Sequence, residues 1–418
     1  MPLASSLLAN TSFWRRKKME ISDETAPSTT IAQEFDAQRD SRFVNLPEDV
    51  HLAIIAFFDE GSIPRLIRTC KYLQHALEPI LYRHLILVGG ERYLRSGLLH
   101  GTLSARPDLI PYIYTYHGPI IPPHYVTGSS RQAVIERAKN LRTRGRNLYD
   151  SGRAARVVGI FLQAVNIRDL YFTDGHRWID DPARWDRLQD AVSNMNLDKL
   201  VLEIEGFPTY VAPVLRAQPN LTDLTIKHGS IRLGGLVESD IPKLVSLKST
   251  LGHAALIVPG RPVENLHLIW VTSEQRLDES WFKQLALSTG PIREFTMTLH
   301  SPSNDDLVRD TLRMIRSYLP SMEHLTLKVR GGISAAVLLE EIPAFQHLRR
   351  LHFLEACLLG SVVSTSTEQS TSSPSIAWPT PMDQSQRREV INSIVDINRQ
   401  FRAACPGLVD IRWTAYDL

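Results

Sequence analysis

One short frame recurs down the chain: an apolar residue, two variable ones, a second apolar residue, one variable residue and a third apolar residue. It stands at Ile167, Leu170, Phe172; Leu197, Leu200, Leu202; Leu221, Leu224, Ile226; Val263, Leu266, Leu268; Ile292, Phe295, Met297; Met322, Leu325, Leu327; Leu348, Leu351, Phe353; and Leu408, Ile411, Trp413. Leu244 and Leu247 begin a weaker copy. From Leu170 to Leu351 the middle positions are 30, 24, 23, 19, 29, 30 and 26 residues apart. The alternation in stretches such as LTDLTI suits a strand, whereas residues 305–319 and 334–341 carry apolar side chains at helical spacing. A unit of one strand and one helix cannot bury its own apolar face, so neighbours must stack. Stacking with a small rotation per unit yields an α/β solenoid whose curved parallel sheet lines the concave side. An ordinary α/β sheet with right-handed crossovers gives a similar alternation and is the rival fold.

The frame and its period resemble leucine-rich repeats. The Asn that the family places after the strand is missing, and Lys227, Ile269, Lys328 and Leu354 stand near that point. Variable positions flanking the middle apolar residue point away from the core and line the sheet. This makes Asp169, Tyr171, Lys199, Asp223, His267, Glu294, His324, Arg350, His352 and Arg412 the candidate target-binding residues. Their mixed signs fit a protein or peptide partner better than a polyanion.

Upstream, residues 43–85 form an apolar helical segment. Pro47 stands where a first helical residue would sit, with Glu48 and Asp49 in the turn that the helix dipole makes favourable to negative charge. Val50, Ile54, Phe57 and Phe58 then share one stripe, with Leu46 leading into it. Gly61 ends that helix, and Ser62 opens a second carrying Ile63, Leu66, Ile67, Cys70, Leu73 and Leu77. Pro79 is expected to stop it and open a third with Leu81, Tyr82 and Leu85. About forty residues enclose too little volume to hide so many apolar side chains, so a partner is expected to cover some of them.

This segment resembles an F-box, the module by which substrate receptors dock on the Skp-type linker of cullin-RING ubiquitin ligases. Leu46-Pro47, Glu48-Asp49, Val50, Ile54, Phe57, Leu66, Thr69-Cys70 and the closing Leu81-Tyr82-Arg83 follow the family's order. Tyr72 stands where many members carry Trp. The resemblance implies a linker-binding surface at Leu46, Pro47, Val50, Ile54, Phe57, Leu66 and Cys70. It implies a non-catalytic adaptor that joins the Skp-type linker to a protein target, with no cofactor or metal. A repeat scaffold whose first helices only cap the array is the alternative.

The remaining signals set limits. Net charge is +2, from 47 basic and 45 acidic residues, so no global field draws the chain to nucleic acid or an anionic membrane. Cys70, Cys357 and Cys405 lack any paired spacing, which speaks against disulfides and structural zinc and for a cytoplasmic or nuclear setting. No apolar run is long enough to span a membrane. Arg15, Arg16, Lys17 and Lys18 fit a mitochondrial presequence, a nuclear import signal or a flexible tail, and residues 1–42 read as disordered. The basic stretch 131–156 reads as a solvated face, or as a basic helix for an acidic partner or a phosphate backbone. A Ser/Thr-rich insert near 361–385 reads as a disordered loop. Trp178 and Trp185 are interface anchors or packing residues. No nucleophile elbow, phosphate loop or zinc-protease motif occurs.

Overall fold

Apolar side chains at alternate positions put each repeated triad on one side of a strand, and the structure follows from where that side goes. The computed structural model describes residues 46–47, 50, 53–54, 57–58, 62–69, 71–87, 92–119, 158–174, 182–204, 210–227, 231–272, 278–300, 305–345, 347–359 and 384–414. The basic stretch 131–156, Trp178, Cys70 and the Ser/Thr-rich segment 361–383 lie outside them. The chain divides into two compact units, Met1–Gln218 and Pro219–Leu418.

The first unit runs α1 (Ser62–Ile67), α2 (Lys71–Arg83), β1 (His84–Ile86), α3 (Arg92–Ala105), β2 (Thr115–Pro119), β3 (Asp169–Asp174), α4 (Pro182–Ser193), β4 (Lys199–Ile204) and α5 (Ala212–Arg216). Its strands pair in parallel and in chain order, with Leu85, Tyr116, Leu170 and Leu200 in register. The second unit runs β5 (Asp223–Ile226), β6 (Ser246–Ser249), α6 (Leu251–Ile257), β7 (Asn265–Thr272), α7 (Glu279–Leu285), β8 (Glu294–His300), α8 (Asp305–Tyr318), β9 (His324–Ser334), α9 (Ala335–Glu341), β10 (Arg350–Leu359), α10 (Gln384–Ala404) and β11 (Asp410–Thr414). Its strands are also parallel and sequential, with Leu224, Leu247, Leu266, Phe295, Leu325, Leu351 and Ile411 in register. Parallel strands in strict chain order need a crossover between each pair, and crossovers of one common hand lie on one face of a sheet. The apolar triads fill the space under those connections: apart from Ile411 and Trp413, which are half-buried, their members are buried.

Register between repeats is held by a doubled backbone contact just before each strand. The Glu264 carbonyl accepts from the amides of Arg293 (2.9 Å) and Glu294 (3.1 Å), and the Arg293 carbonyl accepts from Glu323 and His324 (both 2.9 Å). The same pair of bonds recurs at the carbonyls of Tyr114, Arg168, Thr222, Val245, Glu323 and Arg349. One acceptor binding two successive donors leaves a slipped register with unpaired buried amides.

Three sequence expectations are revised. Pro79 does not end the second helix: α2 runs through it, and the break falls earlier, after Ile67. There the Arg68 and Thr69 amides bond back three residues, to the carbonyls of Arg65 (3.1 Å) and Leu66 (3.0 Å), and the Thr69 hydroxyl donates to the Leu66 carbonyl at 2.7 Å. These local bonds satisfy the orphan groups of the last turn and close α1. A copy of the frame at Ile113, Tyr116 and Gly118 also went unread, because its third position holds glycine. A Cβ on Gly118 would stand 2.9 Å from Leu87, so the missing side chain is what lets β2 pack there. The weak copy at Leu244 and Leu247 is a full repeat, with Ser249 fully buried in the third position.

Among the described residues between β5 and β6 there is no helix, and a polar side chain from beyond β6 bonds carbonyls there. Arg261 is 1 % exposed, and its guanidinium donates to the carbonyls of Asp240 (2.7 Å), Val237 (2.6 Å), Pro259 (3.0 Å) and Ile257. The connection also contains Ile241 at φ 46, a backbone that costs a β-branched residue about 1–2 kcal/mol. Gln218 plays a smaller version of this part in the first unit, accepting from the Leu197 amide (2.8 Å) and donating to the Val192 carbonyl (2.9 Å).

Replacing Arg261 with Met removes donors from several buried carbonyls, each worth about 1–3 kcal/mol when left unpaired. We expect the urea midpoint to fall by an amount equal to about 3 kcal/mol or more, at unchanged slope, whereas Arg261→Lys restores part of it. His100, on α3, is buried against Tyr116, its Nε2 lying 3.3 Å from the hydroxyl, and burial lowers its pKa from 6.5 to about 4. Between pH 6.5 and 4 the unfolded chain takes up a proton that the native site refuses, so stability is fully present above 6.5 and falls with pH through that window. Its size is up to about 3 kcal/mol. Thermal melts should show the loss in wild type and a smaller one in His100→Gln.

Candidate functional site

Two surfaces are candidates: the apolar residues of the N-terminal helices and the strand face opposite the connections.

In the first, the sequence stripe meets very uneven cover. Leu46, Val50, Ile54 and Leu66 are half-buried, Pro47 is exposed, and α1 contains no buried residue. Phe57 is 91 % exposed and Phe58 39 %. The next helix behaves differently. Leu77 on α2 is fully buried, and Glu78 beside it accepts from Gln74 (2.8 Å) and from Arg106 (3.0 Å), a residue that also holds Asp108 at 2.7 Å. Burial, then the Glu78 charge, push the Tyr82 phenol up. Thus α2 is tied to the layer formed by α3 and the turn at Pro107–Tyr112, while the residues before it keep apolar surface open.

On the strand faces, the outward positions form cross-strand rows, as the alternation requires. In the first unit Asp169 and Lys199 stand in one row with His84 and Thr115, and Tyr171 stands in the next beside His117. His117 lies 3.0 Å from Asp169, His84 Nδ1 lies 3.0 Å from the Thr115 hydroxyl, and Tyr171 donates to Glu203. The His117–Asp169 contact is at ion-pair distance without hydrogen-bond alignment. Burial, then Arg83, lower the pKa of His84.

In the second unit one row reads Asp223, Ser246, Asn265, Glu294, His324, Arg350, Asp410, and the next reads Thr225, Lys248, His267, Thr296, Thr326, His352, Arg412. The signs that looked mixed along the sequence are sorted in space. All carboxylates occupy the first row, and the second holds only hydroxyls, imidazoles and cations. Glu294, His324, Arg350, His352 and Arg412, all expected from the sequence, line one depression of about 220 Å³ together with Thr296, Thr326 and Asp410. Within it His324 pairs with Glu294 at 3.1 Å and Arg412 with Asp410 at 2.8 Å. Burial, then Arg412, lower the pKa of His352. A larger hollow of about 600 Å³, lined by Arg293, Glu323, His347 and Arg349, lies off this face, where the turns before β8 to β11 stack.

Sequence reasoning placed Asp223 and His267 on this face but missed Lys248, because its repeat has serine in place of the third apolar residue. In the sequence Lys227 and Lys328 stand out only as residues near the point where an Asn is absent. Lys328 sits opposite Thr298, one alternation beyond Thr296. Burial is the larger cause that lowers the pKa of Lys248, followed by the charges of Lys227 and Lys328; burial, then Lys248 and Lys328, bring His267 to about 4.

No protein-family model matches this chain, and no curated protein matches it in sequence. Among the described residues no helix is long and apolar enough to cross a membrane.

His267 is therefore neutral throughout the physiological range and charges only near pH 4. An NMR titration should place its midpoint there, and Lys248→Met should move the midpoint upward by removing a repelling charge.

Proposed function

We propose that the chain is the substrate-recognition subunit of a Skp-cullin-F-box ubiquitin ligase. Residues 43–85 act as the F-box and dock on the Skp-type linker, and the degenerate leucine-rich repeats that follow form a curved solenoid whose strand face holds a protein target. The observation that carries the docking half is the contrast between α2, anchored through Leu77 and Glu78, and the residues before it, which leave Phe57 open and bury nothing on α1. An apolar stripe so placed gains by being covered, at about 25 cal/mol for each Å² removed from water. The target half rests on paired, mixed-charge groups lining a shallow depression, a lining that suits a polypeptide.

In this reading no side chain of the protein performs covalent chemistry. Holding the target beside the ubiquitin donor replaces a bimolecular encounter with a positioned one. The scaffold alternative, in which the first helices merely cap the array, draws on the packing of α2 against its layer. It gives no part to the open stripe at residues 46–67.

Phe57 offers a test that folding does not confound. Its side chain is almost wholly exposed, so Phe57→Ala should leave the melting curve of the full chain nearly unchanged. Loss of an interface anchor costs about 2 kcal/mol, roughly thirtyfold in affinity. We expect the wild-type protein to retain a purified Skp-type linker through gel filtration and Phe57→Ala or Leu46→Ala to lose it. A wild type that retains no linker, or variants that bind as well as wild type, would overturn the proposal.

A further inference from the structure

From β6 to β8 the second outward row of the Pro219–Leu418 unit gathers donors and contains no carboxylate. Lys248 on β6 faces His267 on β7, which faces Thr296 on β8, each one strand spacing of about 4.8 Å from the next. All three are half-buried. Lys227 follows β5, next to Lys248's strand, and Lys328 on β9 sits one alternation further along. Neither Lys248 nor His267 has a hydrogen bond or ion pair among the described residues. The carboxylates of the face stand in the other row, where Glu294 is engaged by His324 and Asp410 by Arg412. We propose that Lys248 and His267, with Thr296 and the flanking lysines, form an oxyanion site that takes a phosphoryl group.

The chemistry of the set selects this ligand. Ammonium groups offer only donors, the neutral imidazole offers one N–H, and the threonine hydroxyls can donate, so the guest must be rich in acceptors. The Lys248 ammonium, with the charges of Lys227 and Lys328 near enough to act on it, matches a dianion better than a carboxylate, which brings a single charge. Partial burial strengthens each charge-assisted bond relative to one at a fully wetted surface. Burial, then the neighbouring lysine charges, lower the pKa of Lys248 and His267, and a bound anion would act against both shifts. The rival reading is that the lysine stems only shield the sheet while their heads reach water. The site is independent of the F-box reading, because it uses no residue of the N-terminal helices.

Calorimetric titration of the full chain with inorganic phosphate and with pyrophosphate, at fixed ionic strength, tests the proposal. We expect saturable binding that sulfate competes away and that Lys248→Met weakens about 10- to 100-fold, the loss of one charge-assisted bond. Lys243→Ala, an exposed lysine whose ammonium donates to Asn220, serves as the control and should bind as wild type. Phosphate should also raise the His267 titration midpoint in wild type, a readout that a merely unfolded variant cannot mimic. A phosphoserine peptide that binds when its unphosphorylated form does not would place the phosphoryl group on a polypeptide. Tighter binding of pyrophosphate than of that peptide would point to a small polyphosphate. Absence of saturable binding, or equal affinity in Lys248→Met and wild type, would overturn the site. Linker retention should be unchanged in Lys248→Met, so failure here and failure of the ligase proposal are separable.

Discussion

A single backbone carbonyl that accepts from two successive amides of the following repeat is the contact on which the described fold depends. From Tyr114 to Arg349 it recurs within both units, with the side chain at that position varying from Thr and Val to Glu and Arg. Because the bond uses only the main chain, it constrains register while leaving sequence free. Its consequence is that residue parity in each strand decides fate: one parity meets the connections and must be apolar, the other meets solvent and is open to functional choice. The parity explains why no exposed Leu or Phe interrupts the outward rows of the second unit.

Where the repeat loses its helix, the same requirement reappears as a polar problem. Described carbonyls in the connection before β6 have no helical amides to bond, and a fully buried Arg261 reaches two of them, at Val237 and Asp240, while also bonding Ile257 at the end of α6 and Pro259 beyond it. A buried guanidinium is tolerable there because its donors are spent on backbone oxygens and the Asp240 and Glu238 carboxylates lie near enough to favour its charge. Glu341 shows another solution on the α8–α9 surface. Its buried carboxylate is met by Arg313 at 2.6 Å and Arg316 at 3.5 Å, which sit three residues apart on one helical face. At both places the bonding is done by side chains that no periodicity reports.

That is also the boundary of what could be read from sequence. The apolar triads were readable because burial acts on each residue independently and leaves a period. Gly118 and Ser249 broke the period, and their repeats were missed or demoted although the backbone pairs them like the rest. Pro79 was read as a helix stop on its local cost, yet tertiary cover over Leu77 and Glu78 outweighs that cost and α2 continues. The sorting of charge into two rows escaped for a different reason. It is a property of strands lying side by side, so Lys248, His267 and Lys328, spread over eighty residues of chain, become neighbours only once register is known.

The same distinction bears on the N-terminal helices. A cap has to cover the first strand layer and present polar groups outward, and α2 meets both demands: Leu77 points in, and Glu78 binds Arg106 at the rim. Nothing in that task calls for Val50, Ile54, Phe57 or Leu66. Residues that capped only for stability would be expected to turn their apolar side toward the array, yet α1 buries none of its residues and Phe57 faces water. A small helical segment that keeps Phe57 uncovered and the rest of its stripe only half-buried sustains a solvation cost with no return among the described residues. Its retention is understandable if the return lies in a second polypeptide, and for that reason the exposed phenylalanine weighs more in the functional reading than the packed helix beside it.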